Sequence, residues 1–139
     1  MKLSRTVAYA VQATLLLANS KSEAPVPCSH LAAEGHMPER FLLQILRHLV
    51  NHGILRSTRG IDGGYALERS PREISLLDVI EAIDGPIGAT LPISAGSEPS
   101  GYEIKLREAL EQVASSMRRQ LKAISISDLL SASSMVRLA

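Results

Sequence analysis

Residues 29–67 read SHLAAEGHMPERFLLQILRHLVNHGILRSTRGIDGGYAL. The first part predicts a short helix over 29–34 that stops at a glycine, then a second helix over 38–52 with Pro38 in its favoured first turn. Gly53 follows as the left-handed residue that commonly ends a helix. Two helices separated by about three or four residues are typical of a helix-turn-helix.

A β-hairpin is predicted directly after the second helix. Residues 54–58 and 65–67 are short β-prone runs, and Asp62-Gly63-Gly64 between them is a strong signal for a tight turn. A hairpin in this position is a wing. The segment therefore predicts a winged helix-turn-helix.

Helices are also predicted on both sides of this segment. Residues 4–19 carry apolar side chains at helical spacing, with Ser4 as the N-cap. A helix over 75–84 has Ser75 as its cap and Asp78 at the third position, an acidic variant of the capping box. Both helices have an apolar face that can be buried.

The C-terminal part contains a long amphipathic helix. From residue 102 to about 126 the apolar residues recur in steps of three and four, as in a coiled-coil seam. Ser127 could cap a further short helix, and residues 131–139 are expected to fray. The sequence thus predicts a mainly α fold with a small β-hairpin, divided into a winged helix-turn-helix DNA-binding domain over 1–85, a flexible loop over 86–101, and a dimerisation helix with a C-terminal tail over 102–139.

Length and composition limit the class of protein. The 139 residues fit one compact domain with an appended element. Because 45% of the residues are apolar but only 3% are aromatic, we expect a helical core built from aliphatic side chains. The longest apolar run, 11–18, is far shorter than the ~20 residues of a membrane span, and no secretory signal pattern is present. We therefore expect a cytoplasmic protein with no membrane partner. The lone cysteine, Cys28, fits a reducing compartment.

Charge is distributed unevenly along the chain. The formal net charge is +1, yet residues 1–72 contain nine Lys and Arg against five Asp and Glu, a net charge of +4. The remaining residues contain six against nine, a net charge of −3. This segregation is compatible with a basic face.

Polar side chains on the second helix could contact DNA. Arg40 and Gln44 are four residues apart and share a face, and these side-chain types pair with guanine and adenine edges in the major groove. Arg47 lies further along the helix, where it suits a phosphate contact. The alternative is an ordinary solvated helix face, because charged surface positions are common. The hairpin that follows favours the DNA-binding interpretation.

Basic residues also accompany the wing and the N-terminus. Thr58 and Arg59 precede the hairpin tip, where a β-ribbon could place the guanidinium in a minor groove of negative potential. Lys2 and Arg5 could add phosphate contacts beside the first helix, whose terminal N–H groups also attract anions. We therefore predict double-stranded DNA as the partner.

Four motifs resemble a known family. They are MKLS at 1–4, YAV at 9–11, LRSTRG at 55–60 with GGY at 63–65, and ISLLDVIEAIDGP at 74–86. Together they are similar to the Rrf2 family of winged helix-turn-helix transcriptional regulators, from residue 1 to about 130. The resemblance implies a dimeric regulator with recognition positions at Arg40, Leu43 and Gln44 and a wing arginine at Arg59. The DNA-binding residues expected are then Lys2, Arg5, Arg40, Leu43, Gln44, Arg47, Thr58 and Arg59.

The chain departs from the family pattern at three places. Ile61-Asp62 replaces the usual Pro-Gly, which predicts a differently shaped wing tip. Leu43 occupies a position that is often acidic in iron-sulfur members, and a thymine methyl is one contact it could make instead. The loop after Gly85 lacks the three cysteines with which those members bind a cluster, and Cys28 alone cannot replace them. We therefore expect no cofactor, and regulation by a small-molecule effector, a protein effector or another signal.

Other reactive side chains have simpler interpretations. Cys28 lies at a helix N-terminus, where a thiolate could act as a redox switch, but a small buried core residue is the commoner role of a free cysteine. His48 and His52 are four apart without a third ligand spaced nearby, so a solvated helix face explains them better than a metal site. No nucleophile elbow, phosphate-binding loop or zinc-type spacing is present, so we expect no enzyme.

The long C-terminal helix predicts a homodimer. A twofold dimer reads two half-sites of a palindromic operator, whereas one winged helix offers only a small DNA interface. The alternative is that this helix packs on its own domain, as amphipathic helices usually do. The residues expected between subunits are Leu106, Leu110, Val113, Met117 and Leu121. The sequence thus predicts a homodimeric regulator of transcription, with repression favoured and activation as the alternative; the competing hypotheses are a winged-helix protein-interaction module and a regulator that senses oxidation through Cys28.

Overall fold

The computed structural model describes residues 1–20, 23–88, 98 and 100–131. Within these residues the chain forms helices and strands in the order α1 (Arg5–Ala18), α2 (Cys28–Gly35), α3 (Glu39–Asn51), β1 (Leu55–Thr58), β2 (Gly64–Leu67), α4 (Leu76–Asp84) and α5 (Gly101–Lys122). A short helix over 126–131 follows α5. The predicted mainly α fold with one small hairpin is confirmed.

Side-chain caps begin α1 and α4 where the sequence predicts them. The Val7 amide donates to Ser4 Oγ at 3.2 Å. At α4 the Asp78 amide donates to Ser75 Oγ at 3.0 Å, and the Ser75 amide donates to Asp78 Oδ2 at 2.9 Å. These bonds satisfy backbone N–H groups that the first helical turn leaves without a partner.

The turn between α2 and α3 differs in detail from the prediction. α2 begins at Cys28, and His36, not the preceding glycine, takes the left-handed conformation that ends it, with a φ of 53°. The Met37 amide donates to the Ala32 carbonyl at 2.8 Å and closes the turn. Pro38 is the N-cap of α3 and not a residue of its first turn. These small shifts leave the helix-turn-helix intact.

The hairpin is wider at its tip than the sequence predicts. β1 and β2 pair antiparallel, and their last pair joins Thr58 to Gly64. Residues 59–63 therefore form a five-residue loop, in which the Gly63 amide donates to the Gly60 carbonyl at 3.1 Å. The tight turn predicted at Asp62-Gly63-Gly64 is displaced, because Gly64 already pairs within the sheet and the turn is closed between Gly60 and Gly63.

A third segment is attached to the base of the hairpin. Val26, in the chain before α2, forms a β-bridge with Tyr65 of β2. The Val26 amide donates to the Tyr65 carbonyl at 2.9 Å, and the Tyr65 amide donates to the Val26 carbonyl at 2.8 Å. Gly64 permits this approach, since a Cβ there would lie 2.4 Å from the Val26 carbonyl oxygen. The wing is thus fixed to the start of the helix-turn-helix.

The core lies between α1, α3 and α4. Ala10 and Ala13 of α1 are fully buried, and small side chains at these positions allow the helices to approach closely. Burial of each large aliphatic side chain contributes about 1.5–3 kcal/mol, so the inner face of α3 is a major source of stability. That face consists of Leu42, Ile45, Leu46 and Leu49, which are buried at helical spacing.

The C-terminal end of α5 packs against its own protomer. Leu121 is only 7% exposed and lies in a cluster with Val7, Leu77 and Ile80, and Met117 packs on the same cluster. Leu121 is therefore left out of the seam proposed below, because its side chain is already covered inside the protomer. Met117 is half-buried against the same side chains.

A further correction concerns the segment after α5. Ser125, not Ser127, caps the short last helix: the Asp128 amide donates to Ser125 Oγ at 3.1 Å, and the Ser125 amide donates to Asp128 Oδ2 at 2.9 Å. The backbone of residues 124–126 also hydrogen-bonds to that of residues 74–76. This pairing ties the end of α5 to the start of α4.

Parts of two predictions fall outside the described residues. They are most of the loop predicted over 86–101 and nearly all of the tail predicted over 131–139. Among the described ranges, no helix is both long enough and apolar enough to cross a membrane.

Candidate nucleic-acid interface

The outer face of α3 presents a polar stripe. Arg40, Gln44 and Arg47 are all exposed, and at about 100° per residue they fall within an arc of about 60° on the helix surface. Leu43 is half-buried beside this arc. Because the opposite face of α3 is buried in the core, the arc is directed outward. The structure therefore brings the predicted recognition positions together.

Asn51 belongs to the same face, although the sequence analysis missed it. It lies four residues beyond Arg47, is exposed, and is about 20° from Arg40 around the helix. The i, i+4 spacing is the signal that identifies it. We call Arg40, Gln44, Arg47 and Asn51 the recognition stripe.

An aromatic contact supports the N-terminal end of α3. The rings of Tyr9 and Phe41 meet edge to face, with centroids 6.0 Å apart and planes at 78°. Such pairs contribute about 0.5–1.5 kcal/mol beyond the area that they bury. The contact ties α1 to the part of α3 that carries Arg40.

The wing presents Thr58 and Arg59 where β1 ends. Both side chains are exposed, and Ile61 is fully exposed at the tip of the loop. The strand pairs and the Val26 bridge hold the base of the hairpin, so its open end extends into solvent. An outward guanidinium on a narrow β-ribbon has the shape and charge that a minor groove accepts.

Lys2 and Arg5 flank the capped start of α1. Both are exposed, and the first turn of α1 contains no acidic residue. The positive end of the helix dipole and two cations therefore act together at this surface. Phosphate contacts by Lys2 and Arg5 remain predictions.

None of the basic side chains predicted to contact DNA forms an ion pair with an acidic side chain among the described residues. The ion pairs between described side chains are Arg69 with Asp78 at 3.5 Å and Arg118 with Glu111 at 2.8 Å. Neither pair involves the interface. Cations without a carboxylate neighbour retain their attraction for DNA phosphates, and the residues in question are Lys2, Arg5, Arg40, Arg47 and Arg59.

Cys28 is half-buried at the start of α2. Its thiol donates to the Glu39 carbonyl oxygen, with the sulfur 3.7 Å away. Burial raises the pKa of Cys28 above its ordinary value, and the negative charge of Glu39 raises this pKa further. Both effects oppose formation of the thiolate that a redox switch at Cys28 would need.

The side chains present do not fit a metal centre or an iron-sulfur cluster. The sequence contains a single cysteine, whereas a cluster is held by several thiolates. His52 Nδ1 lies 2.8 Å from the His48 carbonyl oxygen of its own helix. Across the described ranges, no three His, Cys, Asp or Glu residues come together as metal ligands.

A helix-turn-helix with an outward polar stripe and a hairpin directly after it defines a winged helix-turn-helix protein. The family model of Rrf2, described as an iron-dependent transcriptional regulator, matches residues 3–132. The chain belongs to the Rrf2 family, which confirms the resemblance found in the sequence.

Individual relatives are similar over most of their length. An HTH-type transcriptional regulator of Mycobacterium tuberculosis, Rv1287, is 37% identical over 129 residues, which are 92% of this chain and 80% of the relative. CymR of Bacillus subtilis is 31% identical over 115 residues, 81% of this chain and 83% of CymR. Its solved structure, described as that of the global cysteine regulator, has a TM-score of 0.74 over 95% of this chain and 98% of CymR, with 27% identity. The structure of T. potens IscR has a TM-score of 0.76 and 29% identity over 100% of this chain and 93% of IscR.

The fold, the interface and the family agree on the class of activity. The chain is a DNA-binding transcriptional regulator of the winged-helix type. The members of this family are transcriptional regulators and not enzymes. The individual DNA contacts remain predictions, which the geometry now groups into the recognition stripe, the wing and the start of α1.

Proposed function

We propose that this protein is a homodimeric repressor that binds a palindromic operator through the recognition stripe and the wing, without an iron-sulfur cluster. The observation that carries the proposal is the outward alignment of Arg40, Gln44 and Arg47 on α3, next to a wing that exposes Arg59. The N-terminal part of the stripe enters the major groove, where the Arg40 guanidinium and the Gln44 amide distinguish base edges. The wing enters the neighbouring minor groove.

The dimer is proposed from an apolar stripe on α5. Tyr102, Leu106, Leu110 and Val113 lie within an arc of about 80°, and the last three are 43%, 36% and 59% exposed. The same stripe continues to Leu121, where α4 and α1 cover it. One half of the stripe is therefore covered within the protomer, and the other half is left for a partner.

A second copy is the occupant that we assign to this exposed half. Two α5 helices packed antiparallel or crossed about a twofold axis would cover each other's apolar side chains with the same surface. The arrangement would also hold two winged helices at a fixed separation, as a palindromic operator requires. The proposed seam consists of Leu106, Leu110 and Val113, with Tyr102 at its outer end.

Repression follows from occupancy of a promoter by such a dimer. A protein that fills two major grooves and the adjacent minor grooves excludes RNA polymerase from the same DNA. Since the chain has one cysteine, we propose that its signal is a small molecule or a partner protein and not a cluster.

The DNA-binding mode is tested by fluorescence anisotropy with a duplex selected from a random-sequence library. Arg40→Ala and Arg59→Ala should each weaken binding by about 1–3 kcal/mol. Arg72→Ala is the matched control, because Arg72 is exposed but lies outside the proposed interface. Repeating the titration at two salt concentrations should give a steep negative slope for the wild type. A wild type that binds no duplex would overturn the proposal in favour of a protein-interaction module.

The dimer is tested by sedimentation equilibrium. Leu110→Asp and Val113→Asp should each shift the protein toward monomer, because a charge would be buried in the seam. Ile61→Asp is the control, since Ile61 is also an exposed apolar side chain but lies on the wing. If the two α5 variants associate as strongly as the control, α5 is not the seam.

A further inference from the structure

A cleft of about 300 Å³ separates the C-terminal half of α3 from the wing. Its lining residues come from both elements: Arg47, Val50 and Asn51 from α3, and Ser57 and Tyr65 from the hairpin. Ser57 and Tyr65 are cross-strand partners, so their side chains lie on the same face of the hairpin, toward α3.

We propose that this cleft is a clamp for one backbone phosphodiester of the bound DNA, held by Arg47, Asn51, Ser57 and Tyr65. The proposal rests on the DNA-binding mode of the proposed function and adds a site to it. Of these four residues, only Arg47 is expected from the sequence to contact phosphate; for the other three a phosphate contact is a new assignment.

The donor chemistry of the cleft fits a phosphodiester. A phosphodiester has a negative charge and accepts hydrogen bonds but donates none. The cleft offers a guanidinium, an amide, an alcohol and a phenol, and none of its lining residues is a carboxylate. Among the described residues no carboxylate pairs with Arg47. The site is therefore complementary to an anion.

Tyr65 is held firmly and keeps its proton. Two backbone hydrogen bonds to Val26 fix its position on β2. Burial raises the pKa of Tyr65 above its ordinary value, the nearby Cys28 raises it further, and Arg47 opposes the shift. The phenol is thus neutral at physiological pH and is available as a donor.

In the proposed binding mode, a strand of the DNA backbone would pass through this cleft. A major groove and the adjacent minor groove are separated by a sugar-phosphate strand. If α3 occupies the first groove and the wing the second, that strand passes between them. Phosphate contacts at such a place fix the register of the protein on DNA without reading its sequence.

The test compares affinities for two duplexes of equal length, one selected from a random library and one of unselected sequence. Tyr65→Phe and Asn51→Ala should each bind both duplexes roughly tenfold more weakly, because a hydrogen bond to a charged group is lost. Gln44→Ala is the matched control and should weaken only the selected duplex. Tyr65→Phe should leave the salt slope unchanged, whereas Arg47→Gln should lower it by about one.

A scan with single methylphosphonate substitutions then locates the phosphate. One position should weaken the wild type but should not weaken Tyr65→Phe further, since the shared contact is already lost. Equal penalties for the two proteins at every position would overturn the clamp. If Tyr65→Phe does not fold, the same scan is made with Ser57→Ala, because Ser57 is exposed on β1 and its substitution should not disturb the fold.

The outcomes separate the clamp from the proposed function. A wild type that binds neither duplex overturns both. A wild type whose binding depends on Arg40 and Gln44, but is unaffected by Tyr65→Phe, Asn51→Ala and Ser57→Ala, overturns the clamp alone. Binding of inorganic phosphate at the cleft, seen as a shift of the Tyr65 signals without any loss of DNA affinity in Tyr65→Phe, would also overturn the DNA assignment.

Discussion

Replacement of Gly64 by alanine tests how the wing is attached. A Cβ at Gly64 would lie 2.4 Å from both the carbonyl carbon and the carbonyl oxygen of Val26, and 2.7 Å from the nitrogen of Pro27. These are backbone atoms, so no side-chain rotation can relieve the overlap. The φ of Gly64 is +153°, a conformation that an alanine rarely adopts. Gly64→Ala must therefore move either β2 or the Val26 segment.

The protein can respond to the added Cβ in two ways: it can open the bridge between Val26 and Tyr65, or it can accept the overlap. The expected cost is that of the cheaper response. Separating Val26 from Tyr65 breaks two backbone hydrogen bonds, worth about 1 kcal/mol each. The unfavourable φ adds about 1–3 kcal/mol. Forcing the overlap instead would cost about 1–3 kcal/mol in packing, plus the same backbone strain. We expect a loss of about 3–5 kcal/mol in the free energy of unfolding, which lowers Tm by about 10–20 °C in a domain of this size.

The assay is thermal unfolding followed by circular dichroism, combined with amide hydrogen exchange at Val26 and Tyr65. Gly53→Ala is the control, since Gly53 has a φ of +73° but no atom within 4 Å of its added Cβ. The control should cost only about 1–2 kcal/mol, the penalty of a left-handed alanine. If Gly64→Ala melts no lower than Gly53→Ala and protects both amides as the wild type does, the attachment inferred here is incorrect.

Other variants test the caps, the core and the thiol. Ser75→Ala removes one side of the α4 capping box and should lower the free energy of unfolding by about 1 kcal/mol in urea titrations; unchanged stability would contradict a role for the cap. Leu121→Ala should cost about 2–5 kcal/mol in the same titrations and leave self-association intact, because Leu121 is buried in its own protomer; weaker association at wild-type stability would place it between subunits instead. Cys28 should react with iodoacetamide at neutral pH more slowly than free cysteine, since its raised pKa lowers the thiolate fraction. The same shift stabilises the fold below the ordinary pKa of 9.0 and is lost as pH rises above it; alkylation faster than that of free cysteine would refute this assignment.

Local signals predicted much of this structure. Ser4 and Ser75 lie where a cap satisfies the first turn of a helix, and Gly53 has the left-handed conformation that the end of α3 requires. The buried and exposed faces of α3 follow from its 3.6-residue period, so Arg40 and Gln44 were placed correctly on the outward face. Each of these features depends on residues a few positions apart.

The features that the sequence analysis missed depend on distant parts of the chain. The bridge between Val26 and Tyr65 joins residues far apart in sequence, and no periodic pattern reports it. Ser125, which caps the last helix, also pairs with Ser75 at the start of α4. Local helix propensity cannot predict a pairing between residues so far apart in sequence. Leu121 continues the same apolar stripe as Leu110, and only the packing of α4 decides which of the two is covered.

The measurement that tests the account most directly is sequencing of the duplexes that the purified protein retains from a random-sequence library. The account predicts one enriched motif with two halves related by inversion, and half-site centres about 34–36 Å, or a multiple of that distance, apart along the helix axis. Arg40→Ala should relax the base preference at the same position in each half. An enriched motif without internal twofold symmetry, or no enrichment over the input library, would contradict a dimer that reads DNA with two copies of α3.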